Sequence, residues 1–219
     1  MKSTEPLVLV SAPAGSGKTV TLTQWLRAED RPGIWLRLDG NDNDPIVFLR
    51  CIAVALDQAR WVEPEILELL QLRSPQLVDV VLPGLAATVA GARPFVLVLD
   101  DAQLVQKQEA WAYLELVLEN LPEGAQLVVA TRSDPPLPVG RLRGRGELLE
   151  VRFEELAFDG DEALQLLRLL IDGRSQTARR TSSCFDTNHW LSVIRMGAAL
   201  EPQRLEACFS RKAAIFSVS

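Results

Sequence analysis

The chain has 219 residues, 47% of them hydrophobic and 24% charged, and carries a formal net charge of −6. This composition excludes a mainly disordered chain and a general nucleic-acid-binding surface, and no apolar run reaches the roughly 18 residues of a membrane span. The cysteines form no CxxC pair and the N-terminal apolar run is too short for a signal peptide, so we expect a cytoplasmic protein without a disulfide framework, structural zinc or membrane association.

Short apolar runs alternate with amphipathic stretches over residues 1–172. The runs that predict strands are 7–10, 34–38, 95–99, 127–130 and 148–153. The stretches that predict helices are 19–28, 45–59, one beginning near 74, one around 111–121, and 158–171. Strand runs without polar alternation are typical of a parallel sheet buried on both faces. We therefore expect an α/β fold, a parallel five-stranded sheet flanked by helices.

The sequence APAGSGKT (12–19) follows the first predicted strand and opens the first predicted helix, which is the context of a phosphate-binding P-loop. Its two glycines let successive N–H groups turn toward a phosphate chain, and the helix N-terminus adds a positive dipole end. Lys18 can reach the β- and γ-phosphates, and the Thr19 hydroxyl can bind Mg²⁺. Ala12 departs from the glycine of the strict pattern. The residues predicted to contact nucleotide are Pro13, Ala14, Gly15, Ser16, Gly17, Lys18, Thr19 and Val20.

The run FVLVLDD (95–101) is an apolar strand that ends in two carboxylates. Such a strand end suits Mg²⁺ binding beside a P-loop, so we assign Asp100 to the water shell of the metal. Asp101 is assigned to position or deprotonate the attacking water. A further predicted strand, 34–38, separates the two motifs along the chain. This spacing favours the additional-strand (ASCE) class of P-loop NTPases over simple kinases and GTPases.

Two polar segments follow the second and fourth predicted strands. After the fourth, ATRSDPP (130–136) offers Arg132, whose guanidinium can clamp γ-phosphate oxygens; the alternative is a surface residue at a strand end. After the second, DGNDNDP (39–45) is interpreted as a turn in which Asp44 and Pro45 begin a helix. A water-positioning or partner-sensing role for this acidic loop is the alternative.

Four segments together resemble the nucleotide-binding domain of LuxR-type, MalT-like bacterial transcriptional regulators, which are signal-transduction ATPases with numerous domains (STAND). They are LVLVSAPAGSGKT (7–19), WLRLDGNDNDP (35–45), FVLVLDDAQLV (95–105) and LVVATRSDPPLPVGRLRGRGELLEV (127–151). The resemblance covers about residues 5–172, and LAFDGDEALQLL (156–167) is similar to the start of the family's lid segment.

The resemblance implies an ATP/ADP switch with Mg²⁺ as the metal, in which inducer and ATP open a closed ADP form and allow self-association. Lys18 and Thr19 match the family's phosphate and Mg²⁺ positions, Asp100 and Asp101 its Walker B pair, and Arg132 its phosphate-sensing arginine. The implied catalytic residues are thus Lys18, Asp101 and Arg132, and the implied metal ligands are Thr19 and Asp100. Whether hydrolysis occurs stays open; if it does, we expect a slow Mg-dependent ATPase.

The expected organisation has three parts: a P-loop ATPase core (1–158), the start of the lid (159–172) and an atypical tail (173–219) that is disordered or frame-shifted. Regulators of this type continue into a winged helix, a helical-repeat sensor and a helix-turn-helix. We therefore interpret the chain as a truncated or frame-shifted regulator that lacks its sensor and DNA-binding domains. No DNA-binding element is recognised in this sequence.

Two other functions stay open at this level. A non-catalytic or non-functional fragment would explain the unmatched tail. A small-molecule kinase would share the P-loop but needs phosphate-facing arginines in a lid. The only candidates for these are Arg141, Arg143 and Arg145, which the sequence places on a polar, solvated loop.

Overall fold

The computed structural model describes residues 4–57, 69, 78–158 and 164. The chain divides into two compact units. One consists of Ser3–Ser11 and Glu29–Val151 and contains the β-sheet. Among the described residues, the other includes Ala12–Ala28, which form the loop and the helix that follow the first strand, and the residues from Arg152 onward.

Within the described ranges, the sheet has five strands, all paired in parallel. They are β1 (Leu7–Ser11), β2 (Gly33–Arg37), β3 (Val96–Asp100), β4 (Gln126–Thr131) and β5 (Leu148–Val151), in the spatial order β2-β3-β4-β1-β5. The predicted α/β fold with a parallel five-stranded sheet is confirmed. The strand inserted between β1 and β3, the two strands that carry the predicted motifs, is β4, which is the arrangement of the additional-strand class.

Six α-helices and two 3₁₀ helices are assigned in the described ranges. The α-helices are α1 (Lys18–Arg27), α2 (Pro45–Asp57), α3 (Val78–Ala90), α4 (Gln108–Glu119), α5 (Val139–Arg145) and α6 (Phe153–Leu156). The 3₁₀ helices, Gly40–Asn43 and Ala102–Leu104, follow β2 and β3. The predicted helix start near 74, the end of the helix predicted over 45–59 and almost all of the one predicted over 158–171 lie outside the described residues.

One face of the sheet forms a single apolar cluster with α2, α3 and α4. The strand residues on this face alternate in sequence and lie in register: Leu7, Leu9, Leu97, Leu99, Leu127 and Val129. The helices contribute stripes at helical spacing, such as Phe48 and Ile52 on α2 or Val81 and Leu85 on α3. The strand residues of the opposite face are also buried, as in Val8 and Val98, which explains the unbroken apolar runs of β1 and β3.

Two local predictions differ from the structure. The prediction that Arg141, Arg143 and Arg145 lie in a loop is wrong. These residues lie in the short helix α5, whose C-cap is Gly146 in the left-handed conformation. The strand predicted over 148–153 ends at Val151. There the backbone N–H of Arg152 donates to Glu155 Oε2 at 2.6 Å, an N-terminal capping contact that begins α6 instead.

A buried polar cluster ties three strands together at the amino-terminal edge of the sheet. Arg31, just before β2, donates to the carbonyl of Gly124 at 2.6 Å and to Gln126 Oε1 at 2.7 Å. It also pairs with Glu29 at 2.8 Å, whose side chain is only 3% exposed. Gln126, the first residue of β4, donates in turn to the carbonyl of Glu5 ahead of β1 at 2.9 Å. Arg31 therefore joins the entries of β2 and β4, and Gln126 joins the entries of β4 and β1.

Replacing Arg31 with methionine is expected to lower the free energy of unfolding by about 3 kcal/mol, because it removes three hydrogen bonds and the guanidinium that faces a buried carboxylate. The matched control is Arg143→Met, which removes the better exposed pair with Glu150 and is expected to cost less than about 1 kcal/mol. Urea unfolding followed by tryptophan fluorescence measures both. Equal losses in the two variants would contradict the structural role of Arg31.

Candidate functional site

The loop between β1 and α1 has the backbone conformation that a P-loop requires. Gly15 and Gly17 have φ of 83° and 85°, in the left-handed region that a side chain makes costly. Within the loop, the Ser16 hydroxyl donates to the carbonyl of Pro13 at 2.9 Å. Gly17 is the N-cap of α1 and provides no side-chain cap. Because Gly17 has no side chain, it cannot cap the first backbone N–H groups of α1. Uncapped N–H groups at a helix N-terminus favour binding of an anion.

The Lys18 side chain folds back over this loop. Its ammonium group donates to the carbonyls of Ala12 at 2.6 Å and Pro13 at 2.9 Å. Thr19, in the first turn of α1, is exposed. The residues predicted to contact nucleotide, 13–20, thus form one continuous loop and first helical turn, with a cation on the loop and a hydroxyl at the helix start.

The carboxyl end of β3 places the two predicted carboxylates in different environments. Asp100 ends the strand and is 3% exposed, and its Oδ1 accepts a hydrogen bond from the backbone N–H of Asp101 at 3.0 Å. Asp101 has φ 59° and ψ 34° and is, among the described residues, the one non-glycine residue with positive φ. A left-handed aspartate costs about 1 kcal/mol, and such strained residues cluster at functional sites.

The Asp101 carboxylate is surrounded by donors from three segments. Gln103 Nε2 donates to Oδ1 at 2.9 Å, and Arg37 Nε, at the end of β2, donates to Oδ2 at 3.3 Å. Arg132 Nη2, from the residue after β4, lies 3.7 Å from Oδ1, which is ion-pair rather than hydrogen-bond distance. The structure therefore brings together two predicted site residues, Asp101 and Arg132, and adds Arg37 and Gln103, which the sequence analysis missed.

A signal for Arg37 was present in the strand pattern. Arg37 pairs in register with Asp100 across β2 and β3, so the carboxyl ends of these neighbouring strands meet at one edge. A charged residue that closes an apolar strand next to a strand ending in carboxylates is a candidate ion-pair partner. Recognising it needs the strand order, which the chain order does not reveal.

The acidic loop after β2 has the capping role that the sequence analysis favoured. Asp44 Oδ1 accepts from the backbone N–H groups of Ile46 at 3.0 Å and Val47 at 3.2 Å at the start of α2. Asp39 and Asp42 form a capping box on the first 3₁₀ helix. This loop is therefore held in a fixed conformation by its own carboxylates.

The segment after β3 is anchored by two contacts from other elements. Asn43 Oδ1 accepts from the backbone N–H groups of Gln106 at 2.7 Å and Lys107 at 3.0 Å. The indole N–H of Trp111 donates to the carbonyl of Val105 at 2.9 Å. These bonds fix the chain on the far side of the second 3₁₀ helix, and so restrict the strained turn at Asp101.

Cys51 on α2 is a half-buried thiol next to the buried carboxylate of Asp42. Burial raises the pKa of Cys51 from 9.0 to about 12, and the hydrogen bond to Asp42 at 3.2 Å and the charge of Asp42 act in the same direction. The thiol is therefore neutral at physiological pH. Because the thiolate is the nucleophile, this cysteine is expected to be unreactive in the folded chain.

Alkylation with iodoacetamide at pH 8 tests this, in a Cys184→Ser, Cys208→Ser background where Cys51 is the one thiol. We expect a rate at least about 100-fold slower in the folded chain than in urea, because a raised pKa leaves little thiolate. Asp42→Asn should accelerate the folded reaction less than unfolding does, since burial is the larger cause. Similar rates in folded and unfolded chains would contradict the assigned environment.

The residues predicted to bind Mg²⁺ fit that ion in their chemistry. Asp100 offers a buried carboxylate at a strand end and Thr19 an exposed hydroxyl, both oxygen donors. Over the described ranges there is no group of three or more His, Cys, Asp or Glu side chains that could hold a metal. Mg²⁺ needs none, because it keeps several waters and uses one or two protein oxygens together with substrate phosphates.

The arginines of α5 are all engaged by glutamates. Arg141 pairs with Glu115 and Glu119 of α4. Arg143 pairs with Glu150, and Arg145 lies 3.9 Å from Glu147. The three arginine side chains are 42%, 60% and 58% exposed, so these contacts are ion pairs at the protein surface.

Comparison with known families decides the classification. A family model described as an AAA ATPase domain matches residues 1–130. The chain belongs to the AAA ATPase domain family. This membership agrees with the parallel sheet, in which β4 separates β1 from β3, and confirms the P-loop ATPase resemblance of the sequence.

Among curated relatives, the HTH-type transcriptional regulator MalT of Cronobacter sakazakii (strain ATCC BAA-894) is 30% identical over 192 residues, which is 87% of this chain. The chain spans about a fifth of that relative, 21% of its length. The aligned part, 87% of the chain, is longer than residues 1–172. Some residues after 172, in the segment expected to be an atypical tail, are therefore aligned with this relative. This AAA ATPase domain is therefore related to MalT.

Among solved structures, the complex titled "Structure of Drosophila ORC bound to AT-rich DNA and Cdc6" contains a chain that matches with 10% identity and a TM-score of 0.39. The match covers 94% of this chain and 74% of the other. At this score the likeness is too weak to bear on fold or function. Separately, none of the helices in the described ranges has both the length and the apolar character needed to span a membrane.

Proposed function

We propose that the chain is the ATP/ADP-binding switch domain of a MalT-like, LuxR-type transcriptional regulator, reset by slow Mg-dependent hydrolysis of ATP. The observation that carries the proposal is the 12–19 loop, where both glycines are left-handed and Lys18 lies over the loop carbonyls. Membership of the AAA ATPase family and the relation to MalT support adenine nucleotide as the ligand and transcription as the setting.

In the proposed complex, residues 13–20 enclose the phosphates. Lys18 exchanges its two carbonyl acceptors for β- and γ-phosphate oxygens, which are stronger acceptors because they are charged. The N–H groups at the start of α1 add the positive end of a ten-residue helix. Mg²⁺, when bound, supplies positive charge to the phosphates. We assign the Thr19 hydroxyl to bind it and the Asp100 carboxylate to hold its water shell.

Asp101 is the proposed general base. It takes a proton from the water whose oxygen bonds to the γ-phosphorus, while the bond from that phosphorus to the departing ADP oxygen breaks. Arg132 is the proposed γ-phosphate sensor. Its 3.7 Å ion pair with Asp101 and its 53% exposed side chain are compatible with a guanidinium that leaves the carboxylate for a phosphate.

Hydrolysis is favoured over transfer to a small acceptor by the arginines of α5. A kinase lid needs guanidiniums that face the phosphates, and these three face glutamates. Nucleotide-dependent self-association and a cytoplasmic location are part of the proposal through the relation to MalT. The non-catalytic fragment remains the competing function, and nucleotide binding separates the two.

Lys18→Ala is expected to weaken binding of Mg-ATP and ADP by at least about 100-fold, because it removes the phosphate-contacting cation. Lys107→Ala, which removes an exposed lysine in the segment after β3, is the matched control and should bind as the unmodified chain does. Titration calorimetry measures the affinities. A saturating nucleotide at about 100 times its dissociation constant should also stabilise the unmodified chain by about 2.7 kcal/mol.

Equal binding by Lys18→Ala and the unmodified chain would refute the P-loop assignment. No binding by either would support the non-catalytic fragment instead.

Asp101→Asn is expected to retain nucleotide binding and lose about 100-fold or more in the rate of phosphate release, because the amide cannot accept the proton of water. Glu123→Gln, an exposed carboxylate between α4 and β4, serves as the control and should hydrolyse ATP at the unmodified rate. Steady-state phosphate release under saturating ATP is the measurement. Unchanged turnover in Asp101→Asn would remove Asp101 from the proposed chemistry.

A further inference from the structure

Arg37 occupies a position that gives it a role in the proposed hydrolysis. It ends β2, in register with Asp100 of β3, and its Nε donates to Asp101 Oδ2 at 3.3 Å. The two residues are 64 positions apart in sequence. Strand pairing, and not chain proximity, therefore brings this guanidinium to the carboxylate.

The turn at Asp101 has a reason to need such a contact. Its left-handed backbone is strained for an aspartate, and a strained residue persists only where its surroundings hold it. Gln103 binds Oδ1 from the same turn, and Arg37 binds Oδ2 from the neighbouring strand. The two contacts reach different oxygens, so together they set both the position and the rotation of the carboxylate.

The two arginines near Asp101 differ in how closely they engage it. Arg132 is at ion-pair distance only, whereas Arg37 is within hydrogen-bond distance. When Arg132 moves to a phosphate, as the proposed function requires, Asp101 keeps a cationic partner only if Arg37 stays. The Arg37 side chain is 77% exposed, so its pairing contributes little to folding stability.

We propose that Arg37 is a positioning residue that holds the Asp101 carboxylate in its working orientation while Arg132 engages the nucleotide. This inference rests on the proposed ATP hydrolysis. Arg37 itself touches no phosphate and acts through Asp101, so its loss changes turnover and leaves nucleotide affinity intact.

The test compares Arg37→Met, Arg37→Lys and the matched control Arg143→Met, which removes the ion pair between Arg143 of α5 and Glu150 of β5. For each variant of the 219-residue chain, kcat and KM for Mg-ATP hydrolysis, the Kd for ADP and the urea midpoint are measured. Arg37→Met is expected to lower kcat about tenfold with Kd and midpoint unchanged, because a misplaced base loses alignment with its water. Arg37→Lys should recover part of kcat, and Arg143→Met should match the unmodified chain.

A double variant separates positioning from a general charge effect. In an Asp101→Asn background, adding Arg37→Met is expected to cause no further loss of kcat, because the carboxylate that Arg37 holds is already gone. Independent, multiplicative losses would overturn the inference. So would unmodified turnover in Arg37→Met, or a loss that appears in Kd rather than kcat.

These outcomes are distinct from failure of the proposed function. If the unmodified chain binds neither Mg-ATP nor ADP, the nucleotide switch itself is refuted. If it binds nucleotide and shows no turnover, binding stands and the inference for Arg37 is overturned, because the residue is assigned to hydrolysis.

Discussion

Parallel pairing of β3 with β2 on one side and β4 on the other is the constraint on which the carboxyl edge of the sheet depends. β3 is buried at every position, and burial of each large apolar side chain contributes roughly 1.5–3 kcal/mol. That burial holds the strand in register. Because the paired strands are parallel, Arg37 at the end of β2 and Arg132 after β4 lie at the same edge of the sheet as Asp101.

The two edges of the sheet use polar groups for different purposes. At the amino edge, Gln126 and the side chain of Glu29 are buried, and the Arg31 side chain, which is 16% exposed, joins them through hydrogen bonds at 2.7 Å and 2.8 Å. We therefore expect the loss of Arg31 to destabilise the fold. At the carboxyl edge, the arginines near Asp101 are exposed, and exposed ion pairs contribute little stability. In the proposed function, their role is to orient the Asp101 carboxylate and to contact phosphate, not to stabilise the fold.

The strained turn at Asp101 depends on elements distant in sequence. Asn43, from the loop after β2, and Trp111, from α4, bind the segment that follows the turn. The acidic loop is itself held by its caps at Asp39 and Asp44. The acidic loop therefore does more than begin α2. Through Asn43 it also holds the segment after Asp101, the proposed base, and so connects the segments that follow β2 and β3.

Local chemistry was enough to predict the strand runs, the P-loop, the Asp44 cap and the parallel α/β class, because each depends on residues close together in sequence. Apolar runs reveal strands, glycines reveal left-handed turns, and a short carboxylate before proline reveals a helix start. The partners Arg37 and Gln103 and the helix at Arg141 were missed. Arg37 meets Asp101 only through the strand order, which the chain order does not specify. The helix α5 is anchored by Leu142, which is 4% exposed in the apolar cluster, a contact that only the tertiary structure provides.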